Sequence, residues 1–129
     1  MVGMSTFHRR CLLAVLAWLS VPLVCLAGEA PVFGQQVLFR SGTQKTHTFR
    51  IPSLVTTRKG TVLVFCEARR ESGRDHSNID LVLKRSDDGG ASWGAMRVLF
   101  DDGPHTVGNP CAVLDRRTGT IWLTFSKNN

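Results

Sequence analysis

The sequence predicts an all-β fold made of four-stranded antiparallel units, as in a β-propeller, and three observations support this prediction. From Phe49 onward, short apolar runs alternate with turn signals, and no helix-length stretch shows the helical period. A tight turn with a charged pair and a glycine recurs at Gly60 and Gly119, about 59 residues apart. Each turn follows a strand start that carries a proline, Pro52 or Pro110. This period suits a propeller blade, so we predict one full blade and half of the next.

Each element follows from the same pattern. The turns at 58–60 and 116–119 lie between β-branched residues and predict hairpins. A blade buries its faces against neighbouring blades, so one and a half blades leave an apolar face uncovered. We therefore expect the sequence to be the N-terminal piece of a longer protein. The predicted strands cover about residues 50–57, 61–68, 79–86, 95–100, 110–115 and 120–126.

Length and composition allow one small globular domain. The chain has 129 residues, of which 43% are hydrophobic and 20% are charged, and these values are ordinary for a globular protein. The formal net charge is +6, but the cations are scattered and follow no motif that reads nucleic acid. We therefore expect no nucleic-acid partner, whereas an anionic small substrate is compatible with this charge.

Residues 1–27 have the pattern of a secretory signal. His8, Arg9 and Arg10 precede an apolar run from Cys11 to Ala27, which ends in small residues. We predict cleavage after Ala27 and a secreted, periplasmic or extracellular mature part at 28–129. The alternative is an uncleaved membrane anchor, because the run is close to the lower limit of about 17 residues for a bilayer span. Contact with a membrane is expected only in that case.

Two cysteines, Cys66 and Cys111, belong to the predicted mature part. An oxidising compartment would permit a disulfide between them. Each lies in an apolar strand-like run, however, which favours two buried free thiols. No spacing of cysteine and histidine resembles a zinc site, so we expect neither a metal nor another cofactor.

A turn motif, S-x-D-x-G-x-S-W, lies between the third and fourth predicted strands and is formed by Ser86, Asp88, Gly90, Ser92 and Trp93. The aspartate can accept backbone N–H groups, the glycine permits a positive φ, and the tryptophan can pack on the hairpin. The motif resembles the Asp box of bacterial and animal sialidases. Because this box also occurs in unrelated propellers, it indicates fold rather than chemistry.

Three further matches to the sialidase family follow in the family's order. They are F-R-I-P at 49–52, F-x-E-x-R at 65–69 and G-N-P-C at 108–111, with an acidic loop residue, Asp75, between the last two. The resemblance covers about residues 37–129. It implies a six-bladed β-propeller and a retaining, metal-independent exo-α-sialidase. Such an enzyme releases terminal sialic acid from glycoproteins, glycolipids or oligosaccharides.

The resemblance assigns Arg50 to the first of three arginines that bind the carboxylate of sialic acid. A guanidinium suits this task because it is always charged and can hold a carboxylate through two parallel hydrogen bonds. The alternative is a surface arginine that precedes a strand proline. Asp75 matches the general acid and base of the family. The alternative for Asp75 is a solvated loop aspartate whose pKa is lowered by Arg74 and His76. Asp80 is its nearest rival, but we expect Asp80 to pair with a neighbouring side chain.

Two further residues are assigned to substrate binding. The resemblance places Arg69 against the ring hydroxyl and carboxylate side of the substrate, with Arg70 as the alternative, and strand alternation directs these two to opposite faces. It places Asn109 near the 4-hydroxyl and N-acetyl side, although an Asn-Pro turn explains this residue equally well. We expect Glu67 to support an arginine rather than to act on substrate.

Sialidases attack with a tyrosine, which is an exception among glycosidases. This chain contains no tyrosine, and it has no match for the glutamate that assists the tyrosine. We therefore expect the chain alone to be inactive and the activity to belong to the complete gene product. The second hypothesis is a non-catalytic propeller with Asp boxes that binds a carbohydrate or a protein. Two more arginines, a glutamate and a tyrosine further along the reading frame would favour the enzyme.

Overall fold

The computed structural model describes residues 34–128, so the predicted signal segment, residues 1–27, lies outside the described residues. The regular structure in this range consists of strands, which confirms the all-β prediction. Between residues 34 and 128 there is no helix of the length and apolar character needed to cross a bilayer. The strands are β1 (Thr48–Thr56), β2 (Val62–Arg69), β3 (Ile79–Ser86), β4 (Arg97–Phe100), β5 (Thr106–Leu114) and β6 (Ile121–Asn128).

The strands form one blade and the first hairpin of a second blade. Strands β1 to β4 pair antiparallel in chain order. Strands β5 and β6 form a separate antiparallel hairpin, and β5 joins β3 through one parallel pair, Ile79 with Thr106. This is the arrangement that the repeated turn and the repeated proline predict. Both turns close as expected, with Gly60 and Gly119 at positive φ.

The core lies on both faces of the central strands, because β2 is buried along its whole length between β1 and β3. On one face, the second hairpin packs against the blade, which encloses an apolar cluster. On the other face, Cys66, Ala68 and Val82 are covered by Phe39, Phe49 and Met96. The burial of these apolar side chains holds the blade and the hairpin together. The first cluster consists of Val55, Leu63, Phe65, Leu81, Leu83 and Val107.

The first strand of each repeat carries the same β-bulge. The pairing register shifts between Arg50 and Ser53 in β1 and between Gly108 and Cys111 in β5. At the bulges Ile51 and Asn109 have φ values of 53° and 54°. This left-handed region is unfavourable for a residue that is not glycine and that precedes a proline. The strand pairs continue on both sides of each bulge. As a result β5 begins at Thr106, before its predicted start at residue 110. Strain of this kind is concentrated at functional sites.

Both cysteines are free thiols, as predicted. Cys66 is buried, its thiol donates to the main-chain oxygen of Arg50 at 3.1 Å, and burial raises its pKa to about 11. The prediction of burial is wrong for Cys111, which is exposed. The bulge in β5 adds one residue to the alternation, so that Pro110 rather than Cys111 turns inward.

The turn between β3 and β4 is organised around Asp88. Its carboxylate accepts the Ser92 N–H at 2.8 Å and the hydroxyl groups of Ser92 and Ser86 at 2.5 and 2.7 Å. The indole N–H of Trp93 donates to the Gly90 carbonyl at 3.1 Å. These bonds replace water for groups that the turn leaves unpaired. The pairing register places this turn at the end of the blade remote from Arg50.

The hydroxyl and N–H groups around Asp88, first those of Ser86 and then those of Ser92, hold its pKa well below the usual range. We therefore expect Asp88→Asn to lower the melting temperature at pH 7. The stability that comes from the ionised carboxylate is complete above the unfolded pKa of about 3.9 and is lost as pH falls through the lower folded pKa. The melting-temperature gap from wild type should narrow at the lowest pH values. The control is Glu71→Gln, at an exposed position, and a gap that does not change with pH would contradict the prediction.

Candidate active site

Three strand ends meet at one end of the sheet and carry the residues that the sequence singled out. Arg50, near the start of β1, lies opposite Glu67, near the end of β2. The loop that contains Asp75 leaves the end of β2. Asn109 lies in the bulge near the start of β5. The bulges therefore mark the same end of two successive repeats.

Arg50 and Asp75 form the exposed part of this site. The Nη1 atom of Arg50 lies 3.2 Å from Oδ1 of Asp75, and the side chains are 48% and 72% exposed. The fork of Arg50 therefore has N–H groups available to a ligand, and a bound anion would lie beside the Asp75 carboxyl group. The two residues that the resemblance assigned to carboxylate binding and to acid–base catalysis thus lie in direct contact.

Arg69 lies beneath this pair and is buried, with only 2% of its side chain exposed. Its Nη1 atom is 2.7 Å from Asp75 Oδ1 and donates to the Gly73 carbonyl at 2.6 Å. Its Nε and Nη2 atoms donate to Oε2 of Glu67 at 3.0 and 2.7 Å. Glu67 thus supports an arginine, as the sequence led us to expect. Asp75 bridges one exposed guanidinium and one buried guanidinium.

Asn109 reaches the site through its main chain. Its backbone N–H donates to Oε1 of Glu67 at 2.8 Å, whereas its side-chain amide donates to the hydroxyl of Ser126 on β6 at 3.0 Å. The residue lies inside β5 rather than in a turn between elements. Its side chain is exposed and is held towards the second strand of the hairpin.

The two guanidiniums hold the pKa of Asp75 below its usual range. The hydrogen bond from Arg69 is the main cause, and the charges of Arg50 and His76 add to it. Without a ligand, Asp75 is therefore ionised at neutral pH. The sequence alone pointed to Arg74 and His76 and missed Arg69. The two-residue spacing of Arg69 from Glu67 indicates that these two side chains share one face of β2, but it does not indicate the contact of Arg69 with Asp75.

Arg70 and Asp80 form a second ion pair on the opposite side of the sheet. The Nε atom of Arg70 donates to Oδ2 of Asp80 at 2.7 Å, and a second bond comes from Nη2. Asp80 is buried, and burial raises its pKa, although the arginine works in the other direction. Asp80 pairs with a neighbour as expected. Among the described residues, no three His, Cys, Asp or Glu side chains lie close enough together to hold a metal ion.

Curated relatives of this chain are sialidases. The chain is 36% identical over 120 residues to an exo-alpha-sialidase of Arthroderma benhamiae, a match that covers 80% of this chain and 29% of that protein. It is 41% identical over 83 residues to sialidase-4 of Homo sapiens, which covers 60% of this chain and 17% of that protein. The chain thus spans less than a third of the length of these relatives. No family model matches the chain.

Solved structures give the same result. A Hadza microbial sialidase superimposes with a TM-score of 0.63 at 33% identity, over 67% of this chain and 19% of that chain. The NanB sialidase from Streptococcus pneumoniae superimposes with a TM-score of 0.61 at 25% identity, over 68% of this chain and 17% of that chain. Sequence and backbone similarity therefore point to one family.

Proposed function

This chain belongs to the sialidase family, and we propose that it supplies part of the active site of an exo-α-sialidase. The enzyme releases terminal sialic acid from glycoproteins, glycolipids or oligosaccharides, with retention of configuration and without a cofactor. Arg50 binds the substrate carboxylate and Asp75 is the general acid and base. Arg69 acts from beneath through its contact with Asp75, and Asn109 belongs to the binding region through the bulge at the same end of the sheet. Residues 1–27 direct export, so that the enzyme acts on extracellular glycans.

The observation that carries the proposal is the contact between Arg50 and Asp75. In sialic acid the carboxylate and the glycosidic oxygen are attached to the same carbon atom. A cation that holds the carboxylate and an acid that protonates the leaving oxygen must therefore lie within a few ångström of each other. Arg50 and Asp75 meet this condition, since they are 3.2 Å apart and both are accessible to a ligand.

Substrate binding would also favour protonation of Asp75, with the proton taken from solvent. The unliganded carboxyl is ionised because Arg69 and Arg50 lower its pKa, and an ionised group cannot act as an acid. A substrate carboxylate would take N–H groups of Arg50, place a second negative charge near Asp75 and exclude water. Each of these three changes raises the pKa of Asp75. The substrate itself thus favours the protonated, catalytically competent form.

The remaining catalytic groups are proposed to come from outside this sequence. The chain has no tyrosine, so the tyrosine nucleophile, its glutamate and two further arginines belong to other blades of the propeller. In this proposal the 129 residues bind the substrate carboxylate and donate the proton, and they do not form the glycosyl intermediate. The chain alone is accordingly inactive.

Arg50→Ala tests the proposal in the protein encoded by the complete reading frame. We expect kcat/KM for a fluorogenic sialoside to fall about 10- to 150-fold, because a hydrogen bond between charged groups contributes about 1.5–3 kcal/mol. The control is Arg58→Ala, since Arg58 lies in the turn at the other end of β1 and contacts the Arg116 carbonyl. Unchanged kcat/KM in Arg50→Ala would remove Arg50 from the site. Sialoside binding without turnover by the wild type would favour the non-catalytic propeller instead.

A further inference from the structure

The buried carboxylate of Glu67 connects the candidate site to the second blade. Glu67 is 3% exposed, and both of its oxygens are bonded. Oε2 accepts two N–H groups of Arg69, and Oε1 accepts the main-chain N–H of Asn109 in β5. A single side chain thus joins the end of β2, the buried guanidinium and the bulge of the next repeat.

Gly108 provides the space for this contact. A Cβ atom at position 108 would lie 2.5 Å from Oε1 of Glu67 and 3.2 Å from its carboxyl carbon. Real Cβ atoms do not approach other atoms so closely, so any larger residue would push the carboxylate away from Arg69 and Asn109. The glycine before Asn109 is therefore required by the position of Glu67 and not by its own backbone angle.

We propose that Glu67 is a positioning residue. It links Arg69 to β5, holds the guanidinium of Arg69 against Asp75 and thereby sets the positive charge that Asp75 experiences. This inference rests on the proposed function for the role of Asp75, but the contacts of Glu67 do not depend on that function. Glu67 itself is covered by protein groups.

The charges around Asp75 give the direction of the effect. Asp75 faces Arg50 from β1, Arg69 from β2 and His76 in its own loop. On the described part of β5, the bulge contributes the N–H of Asn109, which is bonded to Glu67. Glu67 and Asp75 share the charge of Arg69. When Glu67 is neutral, the full charge of Arg69 acts on Asp75, which then binds a proton less readily.

Titration of the Asp75 carboxyl carbon by NMR, in the full 129-residue chain, tests the inference without any turnover. We expect its midpoint to be about 1 pKa unit lower in Glu67→Gln than in wild type. The matched control is Glu71→Gln, which removes the same charge at an exposed position and should leave the midpoint unchanged. An unchanged midpoint in Glu67→Gln overturns the inference, whether or not the complete protein is a sialidase.

Two further measurements apply if Glu67→Gln does not fold. Gly108→Ala keeps every charge but displaces Glu67, and it should also lower the midpoint, whereas Gly94→Ala, with ordinary contacts, should not. In the wild-type chain the Arg69 Nε–H should exchange slowly with solvent, because it is buried and bonded to Glu67. Rapid exchange of this N–H overturns the inference. Where Glu67→Gln folds, the basic limb of the kcat profile of the complete enzyme should move to lower pH, because kcat reports the protonation of Asp75 in the substrate complex.

Discussion

Asp75→Asn should lower kcat for a sialoside with a sugar leaving group by about 10²- to 10⁴-fold, which is the range that a general acid contributes. The amide keeps the size of the side chain and can still accept a hydrogen bond from Arg50, but its N–H protons are not acidic enough to be transferred to the leaving oxygen. An aryl sialoside with an acidic phenol leaves with little need for that proton. The loss should therefore be far smaller for the aryl substrate. Both values are measured in the complete enzyme under saturating substrate.

The ratio of the two losses distinguishes proton donation by Asp75 from a role of Asp75 in holding Arg50. If the role of Asp75 were only to hold Arg50 in place, the loss of turnover would be equal for both substrates, because both carry the same carboxylate. Equal losses, or unchanged activity, would therefore discard the general-acid assignment. The control is Asp87→Asn, which removes an exposed carboxylate paired with Arg85 at the other end of the blade and should affect neither substrate.

The sequence was sufficient to predict the strands and their order because each strand is a local pattern. The recurring turns at Gly60 and Gly119 and the alternation around Asp80 need only neighbouring residues to be recognised. The resemblance to the sialidases, which the relatives confirm, was likewise recognised from short motifs with fixed spacing. The opposite directions of Arg69 and Arg70 followed from strand alternation alone.

The bulges and the buried ion pair could not be predicted in the same way. Pro110 suggested a strand start, but β5 continues through it because a left-handed residue at Asn109 absorbs the extra length. This also reversed the side on which Cys111 lies. The contact of Arg69 with Asp75 depends on how the loop folds back over the end of β2, and that geometry is tertiary. A motif can name Arg69 but cannot show that its charge is shared.

Arg69→Met should cost about 3–5 kcal/mol of unfolding free energy, because removal of one partner leaves the carboxylate of Glu67 buried without its counter-ion. The side chains of Arg69 and Glu67 are only 2% and 4% exposed, so water cannot replace the lost partner. Urea unfolding of the chain measures this loss. Arg85→Met is the matched control, since Arg85 and Asp87 have the same two-residue spacing but are 53% and 66% exposed. This control should lose far less stability, because water screens an exposed pair.

The double variant Arg69→Met/Glu67→Met separates stability from function. Apolar side chains of similar volume can replace a buried ion pair with little loss, so the double variant should recover much of the stability that Arg69→Met loses. Recovery is incomplete because the Asn109 N–H loses its acceptor. Turnover by the complete enzyme should fall in Arg69→Met and should not recover in the double variant, since neither variant has the Arg69 side chain that holds Asp75 in place. A double variant no more stable than the single one would mean that the unpaired charge of Glu67 is not the cause of the loss.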